Sequence, residues 1–250
     1  MTVAERLRHI PGFDERVAPV ELASGESHAA FRIVVAGAPA VARIGDTPAA
    51  REVAVHRRAA AAGLAPPLLH VEPDAGLLVT RYIDGGTLSR ADFDDPGVCA
   101  AAGRLLRRVH ALPPTGTRLH PVAAARRYRG RLSQVHSARG DIETARIVEL
   151  YADVADEPVC LCHGDPVPAN IAGPPWQLID WEWAIDIAPQ FDLAALSVEA
   201  ALDEQRTNAL LAAYGWPEGD PRRCGLAHWQ ALYRGLAWLW RSAAAATSRS

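Results

Sequence analysis

The chain has 250 residues, 49% of them hydrophobic and 22% charged, and a formal net charge of −3. This is ordinary globular composition, enough for one large or two small units. At this charge nothing points to nucleic acid as a general partner. No apolar run is long enough to span a bilayer, and the charges scattered through the first thirteen residues exclude a secretory signal, so a cytoplasmic location is expected.

In chain order, a lead-in helix is expected around residues 2–9, stopping before Pro11. Residues 24–28 form a small polar turn ahead of two strands, 31–35 and 40–44, with Ala38-Pro39 as the turn between them. Thr47 and Pro48 are a cap and a first-turn residue for a helix over 49–62, which Gly63 ends. Two more strands, 68–72 and 77–83, follow, and Asp84-Gly85-Gly86 breaks the pattern. We place the division between two lobes there, giving 1–84 and 85–250. Asp95-Pro96 then opens a helix with apolar residues at helical spacing from Val98 to Leu112. A Pro-rich connection leads to a basic cluster at 126–131, read as a solvated helix face, and another amphipathic helix covers 142–155. The remainder is helical, broken by a turn at 215–219, with Trp229, Trp238 and Trp240 in the last helix.

The stretch 158–184 carries the chemistry. A short apolar run over 158–162 stops at His163-Gly164-Asp165, and Pro166 and Pro168 force a loop that Asn170 closes. A second apolar run, 177–179, ends at Asp180. Phosphoryl transfer needs such a set: one carboxylate to accept the proton of an attacking hydroxyl, and hard oxygen donors to hold magnesium ions against phosphates. Asp165 fits the first role; Asn170 and Asp180 fit the second. Cys160 and Cys162 face one side of the same strand beside His163, which would allow a zinc site, although small buried residues in a reducing compartment is the preferred reading.

H-G-D-x-x-x-x-N followed by I-D-W-E resembles the small-molecule kinases of the aminoglycoside phosphotransferase and choline kinase superfamily, most of all its choline and thiamine kinase branch. The resemblance implies an α+β, protein-kinase-like fold with a small β-rich lobe and a larger helical lobe, using ATP and Mg²⁺. It implies a small-residue loop over the nucleotide at Ser24, Gly25 and Ser27, and main-chain contact with adenine from Arg81, Tyr82 and Ile83. The chain has no lysine, all 26 basic residues being arginine, so Arg43 in the second strand takes the phosphate contact, as in the choline kinase branch, with Glu52 as its partner. Asp192, within F-D-L-A, braces the catalytic loop, and His163 holds it. His110, in V-H-A-L-P, is read as a packing residue.

The acceptor rests on less. Trp181, Glu182 and Trp183 follow the metal aspartate, and aromatic faces with a carboxylate suit a quaternary ammonium or thiazolium cation. That favours choline, ethanolamine or thiamine. An aminoglycoside acceptor, met by acids such as Glu199, Asp203 and Glu204, is the alternative; a kinase-like binding protein without catalysis is the reading from another class.

Overall fold

The computed structural model describes residues 3–24, 28–45 and 50–247. They fall into two compact units. The first takes residues 1–86 and then 172–182; the second takes 87–171 and 183–250. The return of 172–182 departs from a division in which 85–250 forms one lobe. Its physical reason is apolar burial: Leu178 and Trp181 are fully buried, Leu178 N–H donates to the Leu64 carbonyl at 2.8 Å, and the Trp181 indole N–H donates to the Leu178 carbonyl at 3.0 Å.

In the first unit, α1 (Val3–Leu7) precedes β1 (Val20–Ser24), β2 (His28–Val35), β3 (Ala38–Gly45), α2 (Ala50–Ala61), β4 (Leu68–Glu72) and β5 (Leu77–Arg81). The strands form one antiparallel sheet in the order β1-β2-β3-β5-β4. Period-two alternation sends Ala40, Ala42 and Ile44 of β3 to one face, where they pack with Ile33, Val35, Leu77 and Val79. Leu7 and Ile10 complete that core, so the N-terminal segment is a cover for the sheet and more than a lead-in. The β2–β3 turn is Ala36-Gly37, not Ala38-Pro39. Both turn residues have positive φ (50° and 77°), the backbone a two-residue hairpin with right-handed twist requires. α2 buries Glu52, Val53, Val55, His56 and Ala59, and Gly63 at φ 70° ends it. Thr47 and Pro48, expected to open α2, lie outside the described residues.

The second unit begins with α3 (Pro96–His110), whose cap is Asp95 accepting from Gly97 N–H, then α4 (Pro121–Arg129) and α5 (Gln134–Ala152). Arg126 and Arg127 of α4 are exposed, as a solvated face requires. β6 (Cys160–Cys162) follows. The chain passes through a 3-10 turn at Pro168–Asn170 and β7 (Ile171–Ala172), contributes β8 (Gln177–Leu178) to the first unit, and returns as β9 (Ile185–Ile187) to pair antiparallel with β6. α6 (Gln190–Glu199), α7 (Glu204–Tyr214) and α8 (Leu226–Thr247) complete it. α6 is buried from Gln190 to Ser197, which makes it the central helix of this unit. α3 crosses α7 at Gly103, where an added Cβ would meet the Leu210 carbonyl oxygen at 2.2 Å. Among the described residues no helix is long and apolar enough to cross a membrane.

Asp192, in the first turn of α6, is wholly buried. Its Oδ2 accepts from the His163 backbone N–H at 2.7 Å and from His110 Nε2 at 3.1 Å; its Oδ1 accepts from the Gly164 N–H at 3.0 Å. His110 Nδ1 meets the Tyr214 hydroxyl at 2.9 Å. Burial by itself pushes the His110 pKa down, but the hydrogen bond and charge of Asp192 together outweigh it and hold the imidazole above its ordinary value of 6.5. His110 is therefore a hydrogen-bonded partner of Asp192 that holds its proton more tightly than a free imidazole, and not only a packing residue.

Two outcomes follow for stability. Gly103→Ala should cost about 1–3 kcal/mol in urea unfolding through overpacking. Gly130→Ala, whose Cβ would meet backbone only at 3.6 Å, should stay within about 0.5 kcal/mol. The raised His110 pKa makes its contribution whole below the unfolded value of 6.5 and lost as pH climbs through the higher folded value. The stability gap between wild type and His110→Gln should therefore narrow as pH is raised from about 6 to about 9; a gap that does not change with pH would contradict the raised pKa.

Candidate active site

The residues singled out in the sequence are divided between the two units. In the first, strand alternation turns Arg43 to the face opposite Ala42 and Ile44, and its guanidinium bridges two carboxylates. Nη2 donates to Glu52 Oε1, and Nη1 donates to Asp180 Oδ1 at 2.7 Å. Arg43 and Glu52 are 14% and 3% exposed, so the pair is shielded from the solvent screening that makes surface pairs weak. The pairing of Arg43 with Glu52, implied by the family resemblance, is present; the contact with Asp180 is one the resemblance does not imply.

Asp180 adopts φ 63°, a left-handed conformation that aspartate tolerates better than most residues. Its Oδ2 faces His28 Nε2 at 3.7 Å, and the Glu182 carboxylate lies close to both. Glu182 thus stands beside Asp180 and His28. Trp181, fully buried with its indole N–H donated to Leu178, is a packing residue of this unit and cannot offer its face to an acceptor. Ser24 is the last residue of β1, while Gly25 and Ser27 lie outside the described residues. The N–H groups of Arg81 and Tyr82 donate to the Pro67 and Pro39 carbonyls, and Ile83 is half-buried beyond them.

In the second unit, β6 delivers the chain to the buried His163. Asp192 holds the His163 and Gly164 N–H groups, and the Asp165 N–H points to His163 Nδ1 at 3.4 Å. Gly164 has φ 86°, and a Cβ there would meet the Trp183 carbonyl oxygen at 2.3 Å, so only glycine fits. Pro168 opens the short turn that Asn170 closes. The Asn170 amide nitrogen donates to the Asp165 backbone carbonyl at 2.9 Å and to Asp165 Oδ2 at 3.0 Å. Both partners are acceptors, so the NH₂ must face them and the carboxamide oxygen must point elsewhere.

Tyr233 and Arg241 of α8 feel the charge of Asp165. Both also bind Glu199 Oε1, at 3.0 and 2.7 Å. Burial first, and then the Glu199 and Asp165 charges, push the Tyr233 pKa up, so its hydroxyl stays neutral. Trp183 is 37% exposed and meets Trp240 edge-to-face at 5.7 Å between ring centres. Asp203, expected as an acceptor-binding acid on the alternative reading, caps α7 through the Arg206 N–H. Cys160 and Cys162 stand 3.9 Å apart at sulfur, with His110 near them in place of His163. Sequence reasoning placed His28 only at the end of the 24–28 turn, where the structure makes it the first residue of β2, and missed Tyr233 and Arg241, which sit in a helix with no motif of its own.

A family model described as phosphotransferase enzyme family (APH) matches residues 20–241. No curated protein matches the chain in sequence. Among solved structures, a choline/ethanolamine kinase family protein from Mesorhizobium loti superposes with a TM-score of 0.78 at 29% identity, over 95% of this chain and 83% of its own. Choline kinase LicA from Streptococcus pneumoniae, also known in complex with AMP, gives 0.80 at 18% identity, over 96% and 89%. An aminoglycoside-3'-phosphotransferase of type VIII gives 0.65 at 23%, over 90% and 94%. The last two likenesses concern the fold alone, and the fold is protein-kinase-like: an antiparallel-sheet unit and a helical unit. With the model matched along nearly its whole length, the chain belongs to the phosphotransferase enzyme family.

Proposed function

We propose that this phosphotransferase moves the γ-phosphoryl group of ATP to the hydroxyl of a small cationic alcohol of the choline, ethanolamine or thiamine kind. The observation that carries the reading is the Asn170 amide. Its NH₂ is committed to Asp165, so its oxygen is directed away as the hard donor a Mg²⁺-type cation takes. Asp165 accepts the proton of the acceptor hydroxyl as that oxygen attacks the γ-phosphorus in line. Asn170 in the second unit and Asp180 in the first would each offer an oxygen to a divalent cation, which when bound would neutralise charge on the phosphates. Arg43, oriented by Glu52, would contact the phosphates through its planar fork. Ser24, Gly25 and Ser27 would cover them. Residues 81–83 would meet adenine through main-chain groups other than the two N–H groups already bonded.

For the acceptor, the half-exposed Trp183 against Trp240 favours a cation held on an aromatic face. The Arg241 charge close to Asp165 is offset by Glu199, so it does not by itself repel a cation. An aminoglycoside draws less support, since Asp203 is a helix cap and Glu199 already serves Tyr233 and Arg241.

ATP consumption with Mg²⁺ over choline, ethanolamine, thiamine and several aminoglycosides tests the reading. Turnover on a cationic alcohol, reduced about 10²- to 10⁴-fold in Asp165→Ala, is the expected result. Turnover on an aminoglycoside alone would transfer the assignment to that class, and magnesium-dependent ATP binding without turnover on any acceptor would favour a binding protein. Trp183→Ala should raise KM for the cationic acceptor severalfold, since a cation–π contact is worth about 0.5–2 kcal/mol, and should leave KM for ATP unchanged.

A further inference from the structure

The carboxylates of Asp180 and Glu182 and the imidazole of His28 converge within the first unit. One donor atom from each lies within 4.8 Å of the others. The His28 Nε2 to Asp180 Oδ2 distance is 3.7 Å. Two donors on one first-row cation stand between about 3 Å apart when adjacent and about 4.2 Å when opposite, given bonds near 2.1 Å. The His28–Asp180 spacing already falls in that window.

The charges also fit. Arg43 is compensated by Glu52, so its contact with Asp180 Oδ1 leaves the local sum unchanged. Asp180 and Glu182 offer carboxylate oxygens and His28 an imidazole nitrogen, a donor set that suits a dication. An imidazole nitrogen is also the donor that separates metals. Mg²⁺ takes oxygen and keeps its waters, while Mn²⁺, Co²⁺ and Zn²⁺ accept nitrogen readily.

We propose that His28, Asp180 and Glu182 form a three-donor cation site in the first unit, and that the His28 nitrogen makes it select a first-row transition dication over Mg²⁺. The proposal deepens the reading of Asp180 as a metal ligand and rests on it. All three donors lie within one unit, so cation binding there can be measured without nucleotide or acceptor. His28 opens β2 directly after the residues proposed to cover the phosphates. A cation held by it would tie the start of that strand to Asp180, a bond that an all-oxygen site lacks.

Mn²⁺ is the probe, because the Cys160, Cys162 and His110 group of the second unit is soft and does not compete for it. Metal-free full-length protein, without nucleotide, would be titrated with Mn²⁺ by electron paramagnetic resonance and then examined by pulsed methods for ¹⁴N coupling. The expected result is one bound Mn²⁺ with directly coordinated nitrogen, and Mg²⁺ at equal concentration failing to displace it. His28→Ala should abolish the nitrogen coupling and weaken Mn²⁺ binding roughly tenfold or more, with little change in Mg²⁺ binding; Glu182→Gln should weaken Mn²⁺ binding with nitrogen coupling retained. Bound Mn²⁺ with oxygen donors only, nitrogen coupling that survives His28→Ala, or no binding would each overturn the proposal. The wild-type spectrum alone separates nitrogen from all-oxygen coordination, even where a variant fails to fold. Kinase turnover without nitrogen coupling would sink the site and spare the function; nitrogen coupling without turnover on any acceptor would do the reverse.

Discussion

One buried carboxylate organises the loop that carries Asp165. Asp192 has no solvent contact, and a polar group buried so completely is tolerable only because three donors surround it. Two are successive backbone N–H groups of the loop itself, and the third is the His110 imidazole at the end of α3. The first turn of α6 adds the positive end of the helix dipole. The result joins three segments distant in sequence at a single atom pair, and Asp165 follows immediately after. Gly164 belongs to the same constraint, since its left-handed backbone lets the chain turn beneath the Trp183 carbonyl oxygen.

The first unit meets a different problem with a different group. With no lysine in the chain, a guanidinium sits where it can bridge two carboxylates at once. A rigid fork makes two directed contacts that a single ammonium makes less well. The pleat of β3 does the positioning: the alternation that buries Ala42 and Ile44 turns Arg43 to the opposite face.

Much of this was legible in the residues. β4 spans the expected residues 68–72, Asp95-Pro96 starts α3 as cap and first-turn residue, and Gly63 stops α2. Asp165 and Asn170 were recognisable because their spacing is local, five residues within one turn-forming loop. What escaped depended on tertiary placement. Ala36-Gly37 looks unlike a turn until strand pairing demands positive φ at both positions. Trp181 reads as a candidate pocket residue because aromatic identity says nothing about which surface covers it. His28 carries no signal, since its meaning comes from Asp180, far along the chain. His110 was noticed as a phrase, but its hydrogen bond to Asp192 depends on a contact that no helical periodicity reveals.

The discontinuity of the first unit bears on how the chain is made. When the first 86 residues have left the ribosome, the sheet and α2 can assemble, but Leu178 and Trp181, which complete that unit, have not been synthesised. The Leu64 carbonyl and the apolar surface around it must wait for almost another hundred residues. Domains generally fold as units in the order of synthesis. Here the N-terminal unit cannot be finished first, and its last apolar surfaces close only after β6 and the loop carrying Asp165 have emerged.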